Sequence, residues 1–331
     1  MKPEVLMYSS DENLTFTDLK NLDSNHLNIP IQDLQEIQTI FEKNDIHGVM
    51  PWDEYYHPKF HTIPSKPYIM HYIWDISLLD RQILGIVWPR KPSLYSPKVL
   101  QKFFDYAKNY NLVTVSGMAE WVDQLCHSFS IKNDIPTIAV LWWWINKFLQ
   151  GPNRHIIDCI VSHWWLILSE FKINFTPTKF SFPQRNRIVA ALSDILFLPE
   201  AWENSGSLIT AGFAYNMSKP VYAVPNDIFC PTSIWVNQLF SKQQAIPLFD
   251  FECFFAQNFQ KKITASNEKN LPELPAEQNQ IMKILSTKWE MSLNWIMNET
   301  QMNTDTIMTH ITLLEINNYV YQTTPWTYCI K

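Results

Sequence analysis

The chain is short of glycine. Average usage of about 7% predicts roughly 23 glycines in a chain of this length, and there are 6 among 331 residues. Tryptophan, normally rare, occurs 14 times. The five cysteines, Cys126, Cys159, Cys230, Cys253 and Cys329, are scattered and odd in number, with no C-x-x-C pair. That excludes a disulfide framework and a zinc site, and it places the chain in a reducing, cytoplasmic setting. No apolar run reaches the ~18 residues that suggest a membrane span. "MKPEVLMYSSDENLT" lacks a basic stretch leading into an apolar core, so no signal peptide is expected. The net charge of -6 gives no global attraction to nucleic acid, so any anion site must be local.

What is present is alternation. Residues 1–60 read as a partly helical segment, with Leu34, Ile37, Ile40 and Phe41 on one helical face. "HPKFHTIPSKP" reads as an extended, proline-marked connection. The stretches "QILGIVW", "LVTVSG", "TIAVL", "LILSE", "DILFLP" and "PVYAVP" read as short buried strands. Helical stretches lie between them, at Pro97–Tyr110, Val122–Lys132, Arg154–His163, Arg185–Leu192, Leu208–Met217 and Thr232–Phe240. Strands alternating with helices predict an α/β domain over 61–262, with a mostly parallel sheet covered on both faces. Ligands of such sheets bind on the loops after the strands.

Residues 263–280 read as a polar linker. Beyond it, 281–331 offers short amphipathic stretches at Ile281–Leu285, Leu293–Met297 and Ile307–Ile316, then a hairpin, the outline of a winged-helix-like domain. Residues 290–331 hold one Lys or Arg, Lys331. A DNA-reading helix needs cations for phosphates, so this module is expected to contact protein instead.

The loops carry the polar chemistry. After the first strand come Arg90, Lys91, Ser93 and Tyr95; after the second, Ser116, Gly117, Asp123 and His127. After the fourth come Lys172, Lys179, Arg185, Asn186 and Arg187; after the fifth, Glu200, Ser205, Gly206, Ser207 and Thr210. "NSGSLIT" opening a helix exposes backbone N–H groups suited to an anion. The pooled cations Arg90, Lys91, Lys172, Lys179, Arg185 and Arg187 suit phosphate. Plain structural roles compete with these. Asp123 and His127, four apart on one helix, suit a mutual hydrogen bond or a cap. Ser205 and Ser207 suit helix caps, and Glu200 suits loop N–H groups. There is no nucleophile–base pair and no metal-ligand spacing, which argues against an enzyme.

Together these motifs resemble the DNA-processing protein A family. "FPQRNRIVAALSDILFLPEAWENSGSLITAGFAYNMSKPVYAVPNDIF" is similar to that family's F-P-x-R-N-R-I-I-A-G-L-S and E-A-x-x-x-S-G-S-L-I-T-A blocks. "IVWPRKPSLYS", "VSGMAEWVDQLCH" and "TIAVLWWWINKF" resemble its other strand-end loops. The resemblance covers about 65–245. It implies an extended Rossmann-like fold without nucleotide chemistry or a cofactor. It also implies a homodimer that binds single-stranded DNA and loads the RecA recombinase during natural transformation. Arg90, Arg185, Asn186 and Arg187 match its basic motifs, and Ser116, Gly117, Ser205, Gly206 and Ser207 match its pocket loops. Lys91, Ser93, Lys172 and Lys179 join the expected DNA-binding set by position. Phe180 and Phe182 are candidate base stackers, with core burial as their plain alternative. An alternative in another class is a related Rossmann enzyme such as a nucleoside-monophosphate phosphoribohydrolase. A third is a decayed copy with scaffold function only.

The departures share one theme. Family glycines stand as Trp at Trp88, Trp121, one or more of Trp142–Trp144, and Trp235; Trp74, Trp165 and Trp326 look similar. Trp fits poorly where the backbone needs positive φ. This pattern is what a gene with UGA glycine codons would give if UGA were translated as Trp.

Overall fold

The structure is a computed structural model. It describes residues 31–89, 93, 95–119, 122–149, 154–173, 175–178, 180–203, 205–227, 229, 233–262, 275–285, 291–317, 319–324 and 326–330. Arg90, Lys91, Trp121 and Lys179, residues 1–30 and most of the expected linker lie outside them. Contacts divide the chain into two units, 1–262 and 263–331.

The first unit opens with α1 (Ile31–Lys43), which buries Ile37 and Phe41, as the helical spacing requires. Next come β1 (Ile46–Val49), α2 (Pro58–His61) and β2 (Met70–Ile73). The expected extended connection at 57–67 therefore contains a helical turn. Pro58 presets φ at its start, and the His57 ring accepts the Lys59 N–H at 3.2 Å.

The alternating region follows the sequence closely. β3 (Ile83–Ile86) leads to α3 (Tyr95–Ala107), β4 (Tyr110–Asn111), β5 (Val113–Ser116) and α4 (Val122–Lys132). Then come β6 (Thr137–Val140), α5 (Ile145–Leu149), α6 (Arg154–Ser162), β7 (Ile167–Ser169) and α7 (Ser181–Leu192). β8 (Ile195–Leu198), α8 (Gly206–Asn216), β9 (Val221–Ala223), α9 (Ile234–Ser241), β10 (Ile246–Pro247), α10 (Phe251–Asn258) and β11 (Gln260–Lys261) complete the unit. All six expected strands are present.

Among the described residues nine strands form one sheet in the order β1-β2-β7-β6-β5-β3-β8-β9-β10. β7 through β10 run parallel, and β2 and β1 add antiparallel at one side. The chain winds outward from β3 to β7, crosses back, and continues from β8. The winding therefore reverses beside β3, the position where open sheets of this kind form a ligand crevice.

Side chains alternate across the sheet. In β8, Ile195 and Phe197 enter one core with α3, α4 and α10, whereas Leu196 and Leu198 enter the other with α6, α7 and α8. Phe197 stacks on Phe103 of α3 with ring centroids 4.0 Å apart. Both faces are covered, which is why these strands read as continuous apolar runs.

The second unit has its own core. It contains α11 (Ala276–Leu285), β12 (Met291–Ser292), α12 (Leu293–Thr300), α13 (Thr304–Ile316), β13 (Val320–Thr324) and β14 (Thr327–Ile330). Ile307, Ile311 and Leu314 of α13 pack on Ile281, Leu285 and Ile296. The strands form one antiparallel sheet, β12-β14-β13. Residues 276–280, expected as the end of a linker, are the first turns of α11.

Among the described residues three tryptophans hold left-handed backbone: Trp74 at φ 71°, Trp164 at φ 60° and Trp326 at φ 64°. For a bulky residue this is an outlier, costing about 1–2 kcal/mol each. Trp74 and Trp326 are positions expected to be glycine-like; at the third the residue is Trp164 and not its neighbour Trp165. Trp88, Trp142, Trp143, Trp144 and Trp235 are not among the described positive-φ residues.

Candidate nucleic-acid interface

The strand-end loops gather at the C-terminal edge of the parallel sheet, and α7 lies across several of them. Arg185 points inward. Its Nη1 donates to the Val140 carbonyl at the end of β6, at 2.6 Å, and its Nε donates to Asn186 Oδ1 at 3.0 Å. The guanidinium rests against Gly117, just past β5, where a Cβ would collide with it. Gly117 is thus required for a close approach, and Arg185 clamps two strand ends together. Only 3% of Arg185 is exposed.

Arg187 is 7% exposed. Its Nη2 donates to Glu170 Oε2, just past β7, at 2.5 Å. Burial raises the Glu170 pKa above the usual carboxylate range, and the Arg187 charge and hydrogen bond pull it back only in part. Tyr56 lies within the field of this pair. Burial pushes its phenol up to about 12, and its hydroxyl donates to the Pro67 carbonyl at 3.1 Å. The two arginines expected as phosphate ligands are therefore internal struts. Between them Asn186 is part-exposed, and its Nδ2 donates to the Gly206 carbonyl at 3.2 Å.

Ser205 caps α8, accepting from the Leu208 N–H, and meets Ser207 Oγ at 2.7 Å. Gly206 is exposed and Ser207 is buried. This helix start therefore presents Ser205 and Gly206 outward beside Asn186. Ser116, by contrast, is buried and donates to the Ile86 carbonyl at 2.8 Å, tying β5 to β3. Ser93 is engaged with Glu200.

His127 is fully buried. One ring nitrogen meets Thr137 Oγ1 and the other the Gly117 carbonyl, both at 2.8 Å. These two bonds brace the Gly117 loop; the side chain of Asp123, its expected partner, lies outside the described residues. Among the described residues no group of His, Cys, Asp or Glu is placed to hold a metal ion.

Aromatic rings crowd the same edge. Trp142 stacks on Phe182 at 4.4 Å, and its indole donates to the Met118 carbonyl at 3.3 Å. Trp143 donates to the Phe175 carbonyl at 2.7 Å. Trp144 instead turns into the core, against Phe41 and His71. Phe182 is thus part of a packed stack, whereas Phe180 is 66% exposed. Lys172 is part-exposed, and Lys147 lies with its Nζ 5.9 Å from the Trp143 ring centroid. Sequence reasoning passed over Lys147; its place four residues after Trp143 was the available signal.

A cavity of about 300 Å³ lies elsewhere, between α1 and the β1–β2 strands. Its lining includes Glu42, Asp45 and Asp53 and no Lys or Arg, so it does not suit a phosphate.

A family model described as DNA recombination-mediator protein A matches residues 47–257. Protein Smf of Synechocystis is 31% identical over 244 residues, covering 68% of this chain and 60% of that protein. The DNA processing protein DprA of Bacillus subtilis is 33% identical over 171 residues, covering 51% and 57%. The X-ray structure of DprA from Streptococcus pneumoniae superposes with a TM-score of 0.60 at 26% identity, over 78% of this chain and 92% of that one. A Helicobacter pylori DprA structure, described by its single-stranded DNA binding mode, gives 0.56 at 29% identity, over 64% and 94%. The matched region spans about three-fifths of the length of these curated relatives.

Proposed function

The chain belongs to the DNA recombination-mediator protein A family, and from that premise we propose that it binds single-stranded DNA along the C-terminal edge of its parallel sheet. The reading rests chiefly on one observation. Asn186, Ser205 and Gly206 form an outward polar ledge at the start of α8, and Phe180 stands exposed on the neighbouring segment. Backbone N–H groups at a helix start suit phosphate, and an exposed ring suits an unpaired base. Lys172, with Arg90, Lys91 and Lys179, supplies the charge. Arg185 and Arg187 serve the interface indirectly, by fixing the loops that carry it.

In this reading the protein hands bound DNA to a RecA recombinase in natural transformation, acts as a homodimer, and is a binder and not an enzyme. His127 is fully buried with both ring nitrogens bonded inside the fold, so it bears structure in this reading. The second unit, with its three helices and hairpin, acts as a winged-helix-like protein contact.

A gel shift with single-stranded and duplex DNA of equal length across a salt series tests the reading. Preference for the single strand, with affinity falling as salt rises, is expected. Equal affinity for both overturns it, and release of free base from a nucleotide favours the phosphoribohydrolase instead.

A further inference from the structure

The crevice beside β3 is where an open, doubly wound sheet would take a nucleotide phosphate. Two loops meet there. One follows β3 and carries Ser93; the other follows β8 and carries Glu200. The Glu200 carboxylate fills the space between them. Its Oε2 accepts from the Ser93 N–H at 3.0 Å, from the Ser93 hydroxyl at 3.2 Å, and from the Ser96 hydroxyl in the first turn of α3. The Tyr95 N–H donates to Ser93 Oγ at 3.2 Å, which orients the Ser93 proton toward the carboxylate.

We propose that Glu200 is a resident anion, occupying the phosphate position at the N-terminus of α3 and excluding free phosphate and mononucleotide 5′-phosphates from the crevice. Three features carry this. Backbone and hydroxyl donors at the start of a 13-residue helix are what a phosphate oxygen would receive. All three converge on one carboxylate oxygen, while Oε1 is buried with no partner. Glu200 as a whole is 1% exposed. A carboxylate with one bare oxygen is a costly way to satisfy a loop, yet it puts one negative charge where a ligand's would sit. The Tyr95 phenol is raised by burial and further by the Glu200 charge. With the position filled, a second anion meets like charge and finds the Ser93 and Ser96 donors already engaged. The crevice then takes no monomer, and anionic ligands bind outside it.

The test is a titration of inorganic phosphate and of AMP at constant ionic strength. Its readouts are melting temperature and the Ser93, Tyr95 and Ser96 amide resonances. The wild-type protein shows no response at these amides. Glu200→Ala binds phosphate at least tenfold more tightly and gains melting temperature with it. Glu200→Ser keeps a small oxygen in reach of the donors and does the same more weakly. If either variant is unfolded, phosphate but not chloride restores it. Wild-type binding at these amides overturns the proposal, as does a folded variant that binds no better than wild type or an unfolded one that phosphate does not restore. Because no DNA is used, this outcome is separable from that of the single-strand gel shift.

Discussion

Arg185 and Val140 are joined by a 2.6 Å hydrogen bond from the guanidinium to the final carbonyl of β6, with Gly117 directly beneath the guanidinium. A methyl group at Gly117 displaces Arg185. Gly117→Ala should therefore cost about 1.5–3 kcal/mol, the value of a hydrogen bond to a charged group, and weaken single-strand binding with it. Urea denaturation and a gel shift check both; unchanged stability would mean that Arg185 is no clamp.

Phe180 should behave oppositely. Its ring is exposed, so Phe180→Ala should change stability by no more than about 0.5 kcal/mol. Single-strand affinity should fall by about 1–3 kcal/mol, the usual value of one stacked base. Lys172→Ala should lower the salt slope of binding by about one. Fluorescence anisotropy over a salt series reads both, and a normal slope removes Lys172 from the interface.

His71 makes the fold sensitive to acid. Its imidazole is buried against Trp144, and burial lowers its pKa from 6.5 to about 3, with a backbone hydrogen bond at Ser169 opposing. The unfolded chain takes up a proton near pH 6.5 and the folded chain does not until about 3. His71 therefore costs no stability above 6.5, and stability is lost progressively as pH falls from 6.5 toward 3. His71→Gln should flatten that slope in urea midpoints taken from pH 7 to 4. An identical slope would point to another group.

The left-handed tryptophans lead to a genetic expectation. If the UGA reading holds, the codons for Trp74, Trp164 and Trp326 are UGA, and native peptides carry glycine there. UGG codons would end it. Independently, Trp326→Gly should stabilise the second unit by about 1 kcal/mol, because the φ of 64° then costs nothing. Trp74→Gly is a poorer probe, because it also removes an edge contact with Trp164 at 4.3 Å.

Six of the seven parallel strands, all but the two-residue β10, were legible because two covered faces leave no room for polar alternation. β1 and β2 were not, since "IHGV" and "MHYI" carry histidines and flank a proline-marked stretch. The loops that form the edge were legible by motif, but the direction of their charges was not. Arg185 and Arg187 look like a solvated pair in "RNR". They turn inward because Val140 and Glu170 wait on the ends of different strands, a pairing across 45 and 17 residues. Lys172, past the end of β7, is part-exposed, and Phe180, the residue just before α7, is exposed.

The nine-stranded sheet ends on two stubs. β1 has four residues, and β10 has two, the second of them Pro247. Proline has no N–H to offer a further strand, and short edges make poor templates. A chain this rich in buried Ile, Leu and Val would otherwise be at risk of edge-to-edge aggregation. Resistance to edge-to-edge pairing is therefore built in at these two margins, apart from the strand-end loops at the C-terminal edge.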